Sequence, residues 1–575
     1  MSSQVLDAEW VRRIGGNVFN PGVFGKNITT DSQGNVYIIG SYASNPLIVY
    51  TIDNTSSAIN ISNAGSQDTF VVKYDSAGNP QWARHIGGTL NDYGFSIATD
   101  SNNNIYVTGG YISTSVNVYS STNNVDISFS ILNSFIGNND AFIVKYDTNG
   151  TAQWGRHIGG TGSEGGYSIA IDSNNNVYVT GSYTSNPFAR VYSTNDNSTI
   201  AFSIQNTSSL SDAFIVKYNS AGAPQWGRHI GGTSIDYGFS ITTDSNNDVY
   251  VTGSYLSSSI SIFSSETNLD ISFVMQNAGD YDAFIVKYST SGIPQWARHI
   301  GNTSQDYGFS IATDSNNNIY VTGQYVSSPV NIYSSINNTD ISFTLLNAGS
   351  SDAFIVKYNS GGIPQWGRHI GGSNQDSGAS IAIDINNNVY VSGVYTSNPL
   401  NIYSSSDNSI NSFTLQNTGI SNAFIVKYDI DGIALLAQRI GGTLSNNSTG
   451  IISDTNGNIY VTGYYESNPL NIYDYTNNNV KFTLENGGTG EQYIVKYSLI
   501  TPTPPTPTPT IPNAICLPRT QIGYLTDNTL ENKINIQNNN LMKTNYFSRT
   551  YNAKAMSYSD YLKIIQAQTQ CNCPN

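Results

Sequence analysis

Short alternations of hydrophobic and polar residues, separated by turns rich in Gly, Asn and Ser, run along most of the chain. Segments such as "FSIATD", "IYVTGGY" and "AFIVKY" carry β-branched or aromatic residues at alternate positions and end in polar turns. An alternation with a period of two is typical of β-strands that pack on one face. The pattern therefore predicts an all-β protein built from short antiparallel strands.

One set of strands recurs every 70 to 72 residues. "WARHIGG" at Trp82 returns four times with small changes, a divergent copy "WVRRIGG" starts at Trp10, and a degraded copy "LAQRIGG" starts at Leu436. Each unit predicts four core strands, and the long segment between the second and third predicts an additional hairpin. Seven units of four antiparallel strands predict a seven-bladed β-propeller.

The register of the repeat predicts how the ring closes. The first unit starts at a fourth strand near Trp10, and the last unit stops after a third strand at Tyr497. An N-terminal strand that completes the last blade removes the exposed sheet edges. We therefore expect residues 1–498 to form one propeller; the alternative is an open stack of small β-units with capping units. Residues 499–512 predict a stiff Thr/Pro-rich linker, and residues 513–575 a small C-terminal tail module.

These repeated residues resemble the SBBP type of β-propeller repeat. The pattern "DAF-V-KYD-G---W---GG---D-G--I--D--GN-YVTG" covers nearly all of residues 10–497. The resemblance implies the fold and says little about activity. In the tail, "MSYSDYLKIIQ" and the frequent Asn and Ile resemble proteins of giant DNA viruses of the mimivirus kind. That resemblance implies a location in the virion or viral factory, with the tail mediating attachment or assembly.

Composition narrows the class of partner. The net charge is -15, and only 11% of residues are charged, which argues against nucleic acid because phosphate binding needs clustered Lys and Arg. The opening "MSSQVLDAEWVRR" lacks a signal-peptide core, and no apolar run approaches membrane-spanning length. Three cysteines near the end are too few for a zinc site, so a disulfide, an intermolecular link and free thiols stay open. They are Cys516, Cys571 and Cys573.

The tryptophans and histidines all lie in the predicted fourth strand. Since this strand is expected to be the outermost of each blade, the histidines diverge around the rim and cannot share a metal ion. We interpret both sets as structural, the tryptophans as packing between blades and the histidines as a hydrogen-bonding ladder. The residues are Trp10, Trp82, Trp154, Trp226, Trp296 and Trp366, with His85, His157, His229, His299 and His369.

The loop after each double glycine is the candidate ligand or cation site. One position in it is acidic in five copies, and a tyrosine follows in three. The residues are Asp92, Tyr93, Glu164, Asp236, Tyr237, Asp306, Tyr307 and Asp376, with Asn20 and Asn446 in the remaining copies. The acids either bind a cation or glycan, or cap their own turns by accepting backbone N–H bonds. "DSNNN" lacks the Gly and Glu of a calcium loop and predicts an Asx turn.

No catalytic set or nucleotide-binding motif stands out. The sequence has no G-x-S-x-G at a strand-to-helix turn, no phosphate-binding loop and no dinucleotide fingerprint. We expect no cofactor beyond a bound cation, and a non-enzymatic scaffold that presents repeated loops to a protein or glycan. The alternatives are a multivalent lectin with one sugar site per blade, and an enzyme (a lyase or hydrolase) acting at the central channel.

Overall fold

The alternating segments form β-strands, forty-two of them in the part of the chain that the structure describes. The computed structural model describes residues 5–16, 24–121, 126–206, 208, 210–488 and 490–501. Asn20, the linker from residue 502 onward, and the tail with Cys516, Cys571 and Cys573 lie outside these residues. Within the described ranges no helix is present, so the all-β prediction is confirmed.

The strands form seven sheets of six strands each, the blades of a ring. The innermost strands of blades 1 to 7 are Phe24–Thr30, Asp92–Thr99, Glu164–Ile171, Asp236–Thr243, Asp306–Thr313, Asp376–Ile383 and Gly450–Ser453. The second strands are Val36–Tyr42, Ile105–Tyr111, Val177–Tyr183, Val249–Tyr255, Ile319–Tyr325, Val389–Tyr395 and Ile459–Tyr465.

The next two strands of each blade also follow the predicted order. The third strands are Asp68–Tyr74, Asp140–Tyr146, Asp212–Tyr218, Asp282–Tyr288, Asp352–Tyr358, Asn422–Tyr428 and Glu491–Ile500. The fourth strands are Pro80–Gly87, Ala152–Gly159, Pro224–Gly231, Pro294–Gly301, Pro364–Gly371, Ala434–Gly441 and Val5–Gly16.

An additional hairpin extends every blade. The fifth strands are Ser115–Tyr119, Phe188–Tyr192, Ser259–Phe263, Val330–Tyr333, Leu400–Tyr403, Leu470–Tyr473 and Leu47–Tyr50. The sixth strands are Ile127–Leu132, Ile200–Gln205, Ile271–Gln276, Ile341–Leu345, Asn411–Leu415, Val480–Leu484 and Ser57–Ile61.

This hairpin belongs in sequence to the next repeat. The segment between the second and third strands of blade 2 pairs with the fourth strand of blade 1, with Val118 opposite Ile86. The expectation that the "WARHI" strand is outermost is therefore wrong, because it is the fourth of six strands. An unpaired fourth strand would expose its backbone groups, and the neighbour's hairpin satisfies them.

The N-terminal strand closes the ring, as predicted. Val5–Gly16 is the fourth strand of blade 7 and pairs with Glu491–Ile500, from Val5 opposite Ile500 to Ile14 opposite Gln492. Innermost strands of neighbouring blades contact each other all the way round, including blades 7 and 1. The seven-bladed propeller is confirmed. The open stack is wrong, because the first and last blades contact each other and share the N-terminal closure.

The hydrophobic core lies between blades. In one cluster, Val71 and Trp82 of blade 1 pack with Ile97 and Val107 of blade 2. Second strands are largely buried on both faces, and tyrosines such as Tyr106 are fully inaccessible. Because each blade covers its neighbour, the ring buries apolar surface that an isolated blade would expose. Among the described residues, no helix long and apolar enough to cross a bilayer occurs.

Candidate functional site

Half-buried aromatic rings of the innermost strands form an arc around the axis, from blade 2 to blade 5. Phe95 lies 5.7 Å from Tyr167 of the next blade, between ring centroids, and Phe239 lies 5.7 Å from Phe309. Tyr167 and Phe239 join these two pairs at 6.4 Å. The aromatic arc, as we name it, consists of Tyr93, Phe95, Tyr167, Tyr237, Phe239, Tyr307 and Phe309.

A β-bulge in the innermost strand of each of blades 2 to 5 positions one ring of the arc. In blade 2, Gly94 pairs with Gly109 and Ser96 pairs with Thr108, so Phe95 is the extra, unpaired residue. Gly109 permits this approach, since a Cβ there would lie 1.8 Å from the carbonyl oxygen of Tyr93. Bulges re-aim side chains. The same register shift skips Tyr167, Phe239 and Phe309.

The arc is interrupted in blades 6 and 7. Ser377 and Ala379 occupy the two aromatic positions in blade 6, and Asn447 and Thr449 occupy them in blade 7. The axis is therefore lined by aromatic rings over blades 2 to 5 and by small or polar residues over blades 6 and 7. This asymmetry distinguishes one side of an otherwise repetitive ring.

The acidic residues of the predicted site lie in the seams between blades. Asp92 is fully buried, and its Oδ2 accepts hydrogen bonds from the Gly88 N–H at 2.7 Å and the Ser113 hydroxyl at 2.8 Å. These are the bonds of a cap. Burial raises the pKa of Asp92 to about 7, and the bond from Ser113 opposes the rise. The arrangement recurs at Asp236, Asp306 and Asp376, and Glu164 accepts from the Ser185 N–H.

The structure thus divides the predicted set of acids and tyrosines. Tyr93, Tyr237 and Tyr307 are half-buried and belong to the aromatic arc, whereas the acid that precedes each of them points into a seam. Two consecutive residues of a strand face opposite sides of the sheet, which separates them. The tyrosines, and not the carboxylates, are accessible to a ligand.

A second set of buried carboxylates was missed by the sequence analysis. Each third strand begins with a fully buried polar residue: Asp68, Asp140, Asp212, Asp282, Asp352, Asn422 or Glu491. His85 Nε2 lies 3.0 Å from Asp68 Oδ2, and the pairs His229–Asp212 and His369–Asp352 are similar at 3.1 and 2.9 Å. The signal was present, because "DAF" starts a largely buried strand in four of the repeats.

The remaining two histidines have other partners. His157 stacks on Tyr192 at 4.1 Å, and His299 Nδ1 lies 3.0 Å from the Tyr255 hydroxyl. Burial lowers the pKa of both to about 4, so they are neutral near pH 7. All five histidines are buried in separate seams. The described residues contain no group of three His, Cys, Asp or Glu side chains that could hold a metal ion.

The tryptophans and the neighbouring arginines join successive blades. Trp82 Nε1 donates to the Thr148 carbonyl at 3.3 Å, and Arg84 Nε donates to the Gly150 carbonyl at 2.6 Å. Both acceptors lie in the turn between the third and fourth strands of blade 2. Trp10, Trp154, Trp226, Trp296 and Trp366 make the equivalent contact.

The "DSNNN" turn satisfies its own aspartate. Asp100 Oδ1 accepts hydrogen bonds from the N–H groups of Asn102 and Asn104, at 2.9 and 2.8 Å. Oδ2 accepts from the Tyr106 hydroxyl at 2.9 Å and from the Asn104 side-chain amide at 2.8 Å. Four donors occupy the two carboxylate oxygens, which is the geometry of an Asx turn.

Six segments match the profile of SBBP, a beta-propeller repeat, and they are residues 9–45, 81–109, 153–189, 225–254, 295–324 and 365–401. A matched segment such as 81–109 spans the fourth strand of one blade and the first two strands of the next. The bulged aromatic position lies inside it.

Curated relatives are similar over different lengths. The chain is 28% identical over 541 residues to the "Uncharacterized WD repeat-containing protein L264" of Acanthamoeba polyphaga mimivirus, covering 85% of this chain and 38% of that protein. It is 28% identical over 156 residues to "Regulatory protein FlaEY" of Caulobacter vibrioides, covering 27% of this chain and 15% of that protein. The mimivirus similarity, predicted from the tail alone, extends over most of the chain.

Two solved structures align with most of the chain at low sequence identity. The WD40 beta propeller domain of Doa1 aligns with a TM-score of 0.32 and 11% identity, covering 86% of this chain and 97% of that chain. A chain of the Mitotic Checkpoint Complex aligns with a TM-score of 0.31 and 8% identity, covering 86% and 94%. The fold assignment rests on the strand pairing of the ring itself.

Proposed function

We propose that the seven-bladed propeller is a non-enzymatic scaffold that holds a partner protein on its aromatic arc. The observation that carries the proposal is the contiguity of half-buried rings across four blades, beginning at Tyr93 and ending at Phe309. Aromatic side chains supply large contact area at low entropic cost and dominate protein interfaces. A contiguous, accessible patch of apolar rings on an otherwise polar surface marks an interaction site.

The titratable groups support a structural role for the rest of the ring. The seam carboxylates are inaccessible and accept hydrogen bonds from the protein's own backbone and serine hydroxyls, as Asp236 does from Gly232 and Ser257. The histidines are equally buried. A general acid or base must reach a substrate atom within hydrogen-bond distance, and these groups face neighbouring blades. Catalysis at the axis therefore finds no support among them.

A glycan is the second candidate ligand, because half-buried tyrosine rings with an accessible face are also suitable platforms for sugar stacking. One sugar site per blade would need the same residues in every blade, whereas blades 6 and 7 carry Ser377 and Asn447 where blade 2 carries Tyr93. The arc extends across blades rather than repeating within each of them. This continuity favours one extended partner segment over seven equivalent sugar sites.

Selection of a displayed random-peptide library on the full chain, with a glycan array in parallel, tests the proposal. The test variant carries Phe95→Ala and Phe239→Ala. Alanine is the residue that blade 6 has at the same bulge position, Ala379. We expect selected peptides to bind this variant at least ten-fold more weakly than the original chain. Tyr475→Ser, which removes an exposed ring (44% accessible) on a distant hairpin, should leave binding unchanged. Equal binding by both variants, or binding of glycans alone, would contradict the proposal.

The place of action is a further part of this proposal. Similarity to a mimivirus protein over 85% of the chain supports a giant-virus origin and a role in the virus particle or its assembly. Mass spectrometry of purified particles tests it. Detection of the chain at the abundance of known particle proteins is expected, and its absence from particles but presence in infected cells would assign it to the host cell instead.

A further inference from the structure

Three tyrosines and one aspartate lie together at the seam between blades 4 and 5. The tyrosine–aspartate cluster, as we name it, consists of Asp280, Tyr237, Tyr281 and Tyr307, all half-buried. The rings of Tyr281 and Tyr307 are 5.3 Å apart, between centroids, at 34°. Tyr237 is near enough to both to act on their ionisation.

The backbone holds the cluster in place. The Tyr281 carbonyl accepts a hydrogen bond from the Asp306 N–H at 2.7 Å, which ties the end of the blade 4 excursion to the innermost strand of blade 5. Asp280 accepts a bond from the Gln305 side-chain amide at 3.2 Å. The ring of Tyr307 also stacks on Phe309 at 5.6 Å and 6°. The cluster is thus an extension of the aromatic arc and has a defined geometry.

The core of the repeat does not require these residues. The position of Tyr281, immediately before the third strand, is polar or small in every other blade. The equivalents are Gln67, Asn139, Ser211, Ser351, Ser421 and Gly490. The pair Asp280–Tyr281 therefore occurs in one blade of seven, although the strands on either side of it repeat. A feature present once in a repetitive ring, at its accessible surface, points to recognition rather than folding.

The cluster is electron-rich, and among the described residues no cationic group acts on Tyr281 or Tyr307. Burial and the neighbouring groups Tyr281, Asp280, Asp306 and Tyr237 together raise the pKa of Tyr307 to about 12, with burial the largest cause. A nearby ammonium or guanidinium would lower it. The third strand that follows Tyr281 has one basic residue, Lys287, at the end of the strand away from the cluster. Lys287 Nζ pairs with Asp248 Oδ2 at 2.9 Å.

We propose that this cluster binds a cationic side chain, an arginine or a lysine, of the partner protein. The tyrosine faces offer cation–π attraction, and the Asp280 carboxylate offers a charge-assisted hydrogen bond. The site lies at one end of the aromatic arc, so the cation would set the register of an extended segment along the axis. This inference rests on the proposed function, since it assigns a chemical class to part of the partner of the arc.

Titration of the full-length protein with capped pentapeptides tests the inference. The probes are acetyl-Gly-Gly-Xaa-Gly-Gly-amide with arginine, lysine, trimethyl-lysine, citrulline or norleucine at Xaa, with binding followed by calorimetry and by chemical-shift changes. We expect at least one cationic peptide to bind ten-fold or more tightly than the neutral citrulline and norleucine peptides. Its affinity should fall with rising salt, because the pairing with Asp280 is electrostatic.

Two substitutions locate the binding. Tyr281→Ser introduces the residue that three other blades carry, and Asp280→Asn removes the charge while keeping the shape. Each substitution should lower the affinity for the tightest-binding cationic peptide at least five-fold. The Tyr475→Ser variant should bind that peptide with the affinity of the original chain. Equal affinity for citrulline and arginine peptides, or no effect of Tyr281→Ser, would overturn the inference. Library peptides that still depend on Phe95 and Phe239 would then leave the proposed function standing.

Discussion

Replacing Arg13 with alanine is expected to destabilise the ring by about 3–5 kcal/mol, the loss typical when one partner of a buried ion pair is removed. Arg13 Nε lies 3.3 Å from Glu491 Oε2, and its guanidinium lies 3.7 Å from the Tyr50 ring centroid. Glu491 is fully buried, so its carboxylate would keep no cationic partner. The pair joins the N-terminal strand to the last repeat. The midpoint of urea unfolding, followed by circular dichroism, measures the change.

A second substitution separates the charge from the packing. Glu491→Gln in the Arg13→Ala background should recover part of the lost stability, because the glutamine has no charge to leave unpaired. Lys481→Ala, which breaks the partly exposed pair with Asp7, should change stability by about 1 kcal/mol or less. If Arg13→Ala unfolds at the same urea concentration as the original chain, the closure of the ring does not depend on this pair.

The free energy of unfolding is expected to depend on pH through the seam carboxylates. Burial raises the pKa of Asp236 in the folded protein to about 7, against an ordinary value of 3.8. Between these values the folded state binds more protons than the unfolded state, so stability decreases as pH rises and levels off above about 7. A shift of about three units corresponds to at most about 4 kcal/mol.

Asp236→Asn isolates this contribution, because blade 7 carries the amide naturally at Asn446, beside Asn422. The original chain should lose stability relative to the variant as the pH rises from about 4 to about 7. Comparing the two chains cancels the opposite slope from His157 and His299, whose pKa values burial lowers to about 4. The reciprocal change, Asn446→Asp, should add a falling slope. Parallel curves for Asp236→Asn and the original chain would refute the assignment.

Several features of the site were within reach of the sequence. The tyrosines were singled out by the repeat but were predicted to follow their acids in a loop, whereas the structure places Tyr93 in the innermost strand that begins at Asp92. The acid beside each of them was assigned to the same accessible loop, although the structure buries Asp92 and leaves Tyr93 half-accessible. Consecutive residues of a strand face opposite sides of the sheet. Which of the two residues faces the interior depends on where the strand begins, and this strand begins at Asp92.

The sequence by itself determined the strands, their order, the seven blades and the closure by the residues around Trp10. The strands follow from the local alternation of residues within each unit. Their order and the number of blades follow from a period of 70 to 72 residues between units. Sequence-based reasoning also found the Asx turn at Asp100, since its donors lie within six residues of the aspartate.

Only the tertiary structure decided which blade each hairpin extends, which carboxylates pair across strands, and where the aromatic arc begins and ends. The hairpin near Val118 joins the blade before its own, and the bulge at Phe95 re-aims a ring toward Tyr167 of the next blade. These contacts join residues of different repeats. Local patterns are the same in every repeat, so they cannot specify which copy packs against which. The ring geometry makes that choice, because each blade can cover its exposed edge and faces only with its neighbours.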